Sequence, residues 1–491
     1  MNAKRLLIFL LAAVVNISLY VGLAASRTLT GYPLDDAWIH QTYARNWAET
    51  GQLAYVAGLP SAGSTAPSWT LLLSVAYRLH VDPQLWTLAL GSVSLAISAW
   101  LLSRLADRLL PGRPAVSWLA GLACVCEWHL IWAAASGMET LLFIALALAL
   151  IDRVWAGSPG WIIGLLSGLL ILTRPEGLLL FVLALGVLHA SRHRGRGALG
   201  EIGKAIFVFL IVLAPGVYFN LQAGGSIFPN TFYAKQSEYG ELLSTLPIWL
   251  NSIGNLLIAP LAGGGLLLMP GVVMWVLKNR RDVRDRTCWL WWLPLVWAGA
   301  HVTVYALRLP VSYQHGRYLL PVIPIVLLYG VAGTALLIDW LKARSTRPAA
   351  RVLRQGYVIA LVVLFALYIP IGAAAYATDV AIIDDEMVAV AQWLDRNTPP
   401  GALIAAHDIG ALGYFARRPI LDLAGLISPE VIPFIRDEAK LDEWIRAKGA
   451  QYLVTFPDWY PQLSSSPDLS VLFSGNSAFS PAHMTVYALG R

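Results

Sequence analysis

Charge is scarce in this sequence. Only 13% of the 491 residues are Asp, Glu, Lys or Arg, while 57% are hydrophobic and the mean hydropathy is +0.62. So little charge excludes an ordinary water-soluble globule. Cysteine is nearly absent, with only Cys124, Cys126 and Cys288. The first two lie two apart in one apolar run, so they face different sides of a helix. That excludes a disulfide framework and a thiolate metal site, and the three read as small core residues. Internal repeats and low-complexity tracts are also lacking. Of the Lys and Arg, 27 precede Thr378, against 15 acids, and 8 follow from there, against 14. The basic excess therefore flanks apolar runs, which speaks for membrane topology and against a nucleic-acid partner.

What is abundant is long apolar sequence. About eleven spans are expected: Met1–Ser26, Leu85–Ser103, Val116–Ala134, Leu141–Val154, Trp161–Thr173, Leu178–His189, Ala205–Leu221, Ile253–Leu277, Trp289–Ala306, Leu319–Leu341 and Tyr357–Tyr376. Trp69–Leu79 is too short and reads as an interfacial or re-entrant helix. With the amino end inside, the inner segments hold 20 Lys+Arg and the outer ones, before the tail, 7. Counting Trp69–Leu79 as a span would reverse that bias. The fold class is thus mainly α, a polytopic membrane helical bundle (residues 1–377). A small extracytoplasmic α/β domain (378–491) follows, because strands such as ALIAAHDIG and AQYLVTF alternate with helices such as KLDEWIRAKG.

The first outer loop, 27–84, opens with the carboxylates Asp35 and Asp36. The residues after them have helical spacing, with His40, Gln41, Arg45 and Glu49 off the apolar face. A helix lying on the bilayer surface is expected there. Two adjacent acids, half buried, cannot both ionise comfortably, so one is a candidate general base; a solvated helix cap is the plain alternative. The outer face also collects Arg174, Lys235, Arg308 and Arg317, with His315 beside the last and Glu139 and Glu176 placed to neutralise them. Arginine forks suit phosphate. A base, a cationic clamp and a charge facing an oxocarbenium-like transition state suit sugar transfer from a polyprenyl phosphate, whose leaving group needs no acid. A single displacement of that kind inverts the anomeric centre. Two adjacent aspartates can also hold a divalent ion, although no His or Asn cluster joins them.

The stretch DDAWIHQTYARNWAETGQLAYVAG…SAGSTAPSW resembles the GT-C superfamily of polyprenyl-phosphate-sugar glycosyltransferases, in the broad ArnT and protein-mannosyltransferase-like group. It is most similar to AftB-like arabinofuranosyltransferases. SGMET, TRPEG, FPNTFYAK, HGRYLLPVIP and DLAGL are also similar to segments of that group, so the resemblance runs from Asp35 to about Leu426. It implies a multi-pass enzyme of the cytoplasmic membrane with its site outside and no certain cofactor. The donor would be a polyprenyl-phosphate sugar, arabinofuranose-like or a hexose such as mannose. The acceptor would be a glycan, lipid or protein of the cell envelope. It also implies Asp35 or Asp36 as base and Arg317 as phosphate contact. His40, Arg45, Glu139, Arg174, Glu176, Lys235, His315 and Tyr318 join as candidate substrate-binding residues. Two rivals stand beside this reading. A transporter or flippase would want ionisable groups deep in spans, where only Glu127 and His129 pair. A membrane-anchored binding protein would place a site at Asp408 and Asp422 in the tail.

Overall fold

In a computed structural model of the chain, residues 2–27, 31–191, 196–239, 257–258, 260–280, 288–309, 314–345 and 347–490 are described. Every expected span is mainly helical over its described residues, with breaks at Glu127 and at Ala262 and Gly263. They are α1 (Asn2–Ala25), α4 (Pro83–Leu109), the bent pair α5 (Pro114–Cys126) and α6 (Trp128–Ala135), α7 (Thr140–Trp155), α8 (Gly160–Thr173), α9 (Gly177–Ser191), α10 (Arg196–Gly224), α12 (Gly264–Asn279), α13 (Cys288–Arg308), α14 (Ile323–Arg344) and α15 (Pro348–Ile383). The beginning of the 253–277 run lies outside the described residues. Among the described residues six helices are long and apolar enough to cross a membrane, or seven with the bent pair taken as one. The helices α7, α8, α9 and α12 are shorter, with 16, 14, 15 and 16 residues.

Local chemistry explains the breaks. The side chain of Glu127 accepts the Leu130 amide at 2.9 Å, capping α6 where the pair bends by 52°. Helices α12 and α14 touch backbone to backbone, since a Cβ on Gly333 would lie 1.8 Å from the Gly271 carbonyl.

Between α1 and α4 lie α2 (Asp35–Thr50), a hairpin of β1 (Ala54–Val56) and β2 (Leu59–Pro60), and the short helix α3 (Pro67–Leu79). Helix α11 (Asn230–Tyr239) follows α10. After α15 the helix continues through 384–388 into α16 (Ala389–Asn397), so the expected boundary after residue 377 falls inside a continuous helix. The tail then forms β3 (Ile404–Ala406), β4 (Ile420–Asp422), helix α17 (Glu438–Ala447), β5 (Tyr452–Thr455), β6 (Leu469–Ser474) and β7 (Thr485–Leu489). The sheet order is β4-β3-β5-β7-β6, with β3 parallel to both neighbours and β7 antiparallel to both of its own.

Two cores decide how the site is held. One fills the helix bundle. The other is shared by the first loop and the tail: Tyr32, Trp38, Tyr43 and Tyr55 pack with Met387, Ile404, Ile409 and Val486. Helix α2 therefore does not lie on a bilayer surface, as its amphipathic spacing led one to expect. It is enclosed between bundle and tail, and nine of its 16 residues are buried. Its polar side chains find partners inside the protein. Gln41, for example, donates to Tyr32 Oη at 3.0 Å and Thr87 Oγ1 at 2.9 Å and accepts from Tyr77 Oη at 2.8 Å.

Candidate active site

Asp35 and Asp36 form the first turn of α2, where the helix dipole favours acids. Successive helical residues point about 100° apart, and the two carboxylates go to different partners. Asp35 turns to the tail and accepts the amides of Gly410 at 2.7 Å and Ala411 at 2.8 Å. A side chain at 410 is not tolerated by this contact, because a Cβ there would lie 2.0 Å from the Asp35 carbonyl oxygen. Burial pushes the Asp35 carboxyl up, the two amides pull it down, and Asp36 pushes it up again, leaving it at about 6.

Asp36 turns to the membrane half, where its Oδ2 lies 2.8 Å from Arg317 Nη2. Burial would raise it, but Arg317 and Lys235 outweigh burial and hold it at about 2. Arg317 Nη2 and Lys235 Nζ both donate to Tyr318 Oη at 3.0 Å, and the two cations sit 5.0 and 5.3 Å from the centre of its ring. Among the described residues no carboxylate pairs with Lys235 directly, and Arg317 Nε is buried without a hydrogen-bond partner. Two cations thus share one carboxylate and keep unused donors, which is the electrostatics of an anion site.

A third cation is fully compensated. Arg174 Nε donates to Glu176 Oε1 at 2.7 Å, and its Nη1 lies 3.4 Å from Glu139 Oε1. His40 Nε2 is 3.3 Å from the other Glu139 oxygen. Tyr305 ties this group to the clamp: it accepts from Arg174 at 3.1 Å, donates to Glu176 at 2.5 Å and stacks on Tyr318 at 5.3 Å. Glu139 and Glu176 do neutralise a cation, as the sequence suggested.

Asp35, Asp36, His40, Glu139, Arg174, Glu176, Lys235, Arg317 and Tyr318 therefore make one connected cluster. Arg45 and His315 stand apart. Arg45 donates to the carbonyls of Tyr414 at 3.0 Å and Gly413 at 3.3 Å, fastening α2 to the tail. His315 pairs with Asp379 at 2.8 Å between Trp128 and Trp132. It has φ 59°, between Gln314 at 44° and Gly316 at 70°, in the turn that delivers Arg317.

The tail adds residues that the sequence assigned to a different reading. Asp408 feels Asp35, Asp36 and Arg317, and burial together with the two aspartates drives its carboxyl well up. Among the described residues it makes no hydrogen bond. Asp422 has a structural task instead: buried, it accepts the amides of Ala424 at 2.8 Å and Ile427 at 2.7 Å and shapes the DLAGL turn. Tyr305 was missed, since its only trace was a polar ring near the end of an apolar run. For a divalent ion the donors are poorly arranged. Both Asp35 oxygens accept amides and Asp36 is ion-paired, and among the described residues no group of three or more His, Cys, Asp or Glu converges on a metal position.

Residues 380–487 match the family described as Domain of unknown function (DUF8728). No curated protein matches the chain. Among solved structures, ArnT from Cupriavidus metallidurans, bound to undecaprenyl phosphate, aligns over 98% of this chain and 97% of its own. Its TM-score is 0.61 and its identity 16%. The archaeal oligosaccharyltransferase AglB from Archaeoglobus fulgidus, in complex with an inhibitory peptide and a dolichol-phosphate, aligns over 93% and 69%, with TM-score 0.60 and 12% identity. The arabinofuranosyltransferase AftD from Mycobacteria aligns over 98% of this chain but 41% of its own, with TM-score 0.50 and 17% identity. At these identities the likeness is one of fold: this chain shares the polytopic helical fold of these solved proteins.

Proposed function

We propose that the chain is a GT-C-type glycosyltransferase of the cytoplasmic membrane, working on its outer face. It would transfer a sugar from a polyprenyl phosphate to a cell-envelope acceptor. The observation that carries this reading is the clamp of Arg317 and Lys235 over Tyr318, with Asp36 as its one direct carboxylate partner among the described residues and Asp35 alongside. The solved neighbours bound to undecaprenyl phosphate and dolichol-phosphate add support for a lipid phosphate at such a site.

In this reading the donor phosphate takes the unused donors of Arg317 and Lys235. As the glycosidic bond breaks, negative charge grows on the phosphate oxygen and the two cations stabilise it. Asp36 stays ionised, aims Arg317, and faces the positive charge developing on the sugar ring. Asp35 is the better base. Its carboxyl sits at about 6, near working pH, and each oxygen that accepts an amide keeps a lone pair for an acceptor hydroxyl. The hydroxyl oxygen bonds to the anomeric carbon, its proton goes to Asp35, and the polyprenyl phosphate leaves with the bonding electrons. One displacement inverts the centre. An arabinofuranose-like pentose or a hexose such as mannose fits this chemistry equally, and it needs no metal at the dyad.

The test is transfer by membranes given a panel of labelled polyprenyl-phosphate pentoses and hexoses, with and without EDTA. Transfer of one sugar, lost in Asp35→Asn at matched expression, is expected. Movement of a labelled lipid across the bilayer without transfer of any sugar favours a flippase and overturns the proposal.

A further inference from the structure

We propose that the tail carries the acceptor subsite, and that the acceptor is a saccharide seated on Trp459 beside His407 and Asp408. This rests on the transferase reading above. It begins from the topology of the tail sheet. Strand β3 lies between β4 and β5 and runs parallel to both, with Ala406 in register with Asp422 and Val454. The chain leaves β3 for β4 on one side and later enters β5 on the other. The connections leaving β3 and β5 therefore run in opposite directions, and the carboxyl ends of these two strands form the kind of switch point at which open α/β sheets take ligands.

The loop after β3 is His407-Asp408-Ile409, and the loop after β5 contains Trp459 and Tyr460. They meet: His407 Nδ1 is 2.7 Å from Tyr460 Oη, and the His407 ring stands edge-on to Trp459 at 5.0 Å. Burial pushes the His407 imidazole down to about 4, so this wall is uncharged at neutral pH. Trp459 is 45% exposed, although its ring also lies 5.0 Å from that of Phe456. An exposed indole face packs against the apolar C–H face of a sugar ring, while nearby polar groups take its hydroxyls.

The loop after β3 also reaches the dyad. Gly410, three residues beyond His407, is the residue whose amide binds Asp35. Asp408 lies between, half buried and without a hydrogen bond among the described residues, ready to meet a hydroxyl. Beyond Tyr460, Gln462 helps line a cavity of about 450 Å³ with Ser237, Arg436 and Glu438. That is the size of a small-ligand pocket. Its wall includes α11, the helix that carries Lys235 two residues before Ser237. Charges of both signs and several hydrogen-bonding groups suit a neutral, hydroxyl-rich ligand and suit a lipid tail poorly. The donor enters from the bilayer to the Lys235 and Arg317 side, so the tail side is left for the acceptor.

The experiment uses the full chain in lipid nanodiscs. Two properties are read: binding to an array of neutral pentose and hexose oligosaccharides, and thermal protection by undecaprenyl phosphate. The wild type should bind at least one saccharide. Trp459→Ala should weaken that binding at least tenfold and Trp459→Phe less than threefold, with protection by undecaprenyl phosphate unchanged in both. A wild type that binds no saccharide, or a Trp459→Ala variant that binds as well as wild type, overturns the subsite. So does transfer onto a lipid or peptide that is indifferent to Trp459. Loss of undecaprenyl phosphate protection in the wild type would instead overturn the transferase reading on which the subsite rests.

Discussion

The two aspartates are adjacent in sequence yet far apart in acidity, and this separates their roles by pH. Asp35 sits at about 6 and Asp36 at about 2. If Asp35 is the base, the active form is the ionised one, and kcat/KM must fall as Asp35 takes up a proton. Below pH 6 the fall is tenfold per unit, which is about 1.4 kcal/mol of barrier per unit. Between pH 7 and pH 5 the rate should drop about tenfold, since at pH 7 roughly nine-tenths of Asp35 is ionised and at pH 5 roughly one-tenth. Asp408, whose carboxyl is pushed up by burial and by Asp35, interacts with it, so the midpoint belongs to the pair rather than to one carboxyl. Asp36 cannot give this limb, because the clamp keeps it ionised throughout. Asp35→Asn should lose about 10²- to 10⁴-fold in transfer, the usual worth of a positioned base. The assay is initial-rate transfer from a saturating donor in membranes buffered from pH 4.5 to 8, with donor binding followed in parallel. A flat profile from pH 5 to 7, or a limb centred below pH 4, would refute the assignment and return the base role to Asp36.

Other outcomes follow from the same contacts. Arg174→Met leaves Glu139 and Glu176 buried without their cation, so it should cost about 3–5 kcal/mol and appear as a lower melting temperature and poor membrane yield. Gly410→Ala must move the Asp35 backbone, whose carbonyl would lie 2.0 Å from the new Cβ. It should loosen the tail, seen as faster proteolysis at 398–420, and reduce transfer at least tenfold. Asp379→Ala removes the partner that holds His315 in its left-handed turn. Donor KM should rise, because Arg317 is less well aimed, while the acid limb stays in place. Asp422→Asn turns an amide donor toward a backbone N–H at one of two contacts and should cost about 1–3 kcal/mol of stability, read by thermal unfolding.

The helices were legible because long apolar runs between basic loops have few other meanings. The dyad was legible because acids are rare at the edge of such a chain. Helix α2 was misread for a specific reason. Of the residues His40, Gln41, Arg45 and Glu49 read as its water-facing side, His40 and Gln41 are buried and Arg45 is half-buried, and only Glu49 is exposed. His40 reaches Glu139, and Asn46 donates to the carbonyls of Ala54 and Tyr55 at 2.9 and 2.8 Å. A periodicity reports polarity and says nothing of who satisfies it. Strand β6 went unseen because it is a short, largely exposed edge strand whose alternation of Leu469, Val471 and Phe473 spans only six residues. The approach of the tail to Asp35 spans some 375 residues of sequence, and no local pattern encodes a contact of that length.

The most direct measurement is the affinity of the purified full chain, in nanodiscs, for undecaprenyl phosphate, compared between wild type, Arg317→Ala and Lys235→Ala. The expected result is saturable binding by the wild type and at least tenfold weaker binding by each variant, with melting temperatures of the ligand-free proteins nearly unchanged. Wild-type affinity retained in both variants, or no binding by the wild type, would mean that the clamp over Tyr318 does not hold a lipid phosphate.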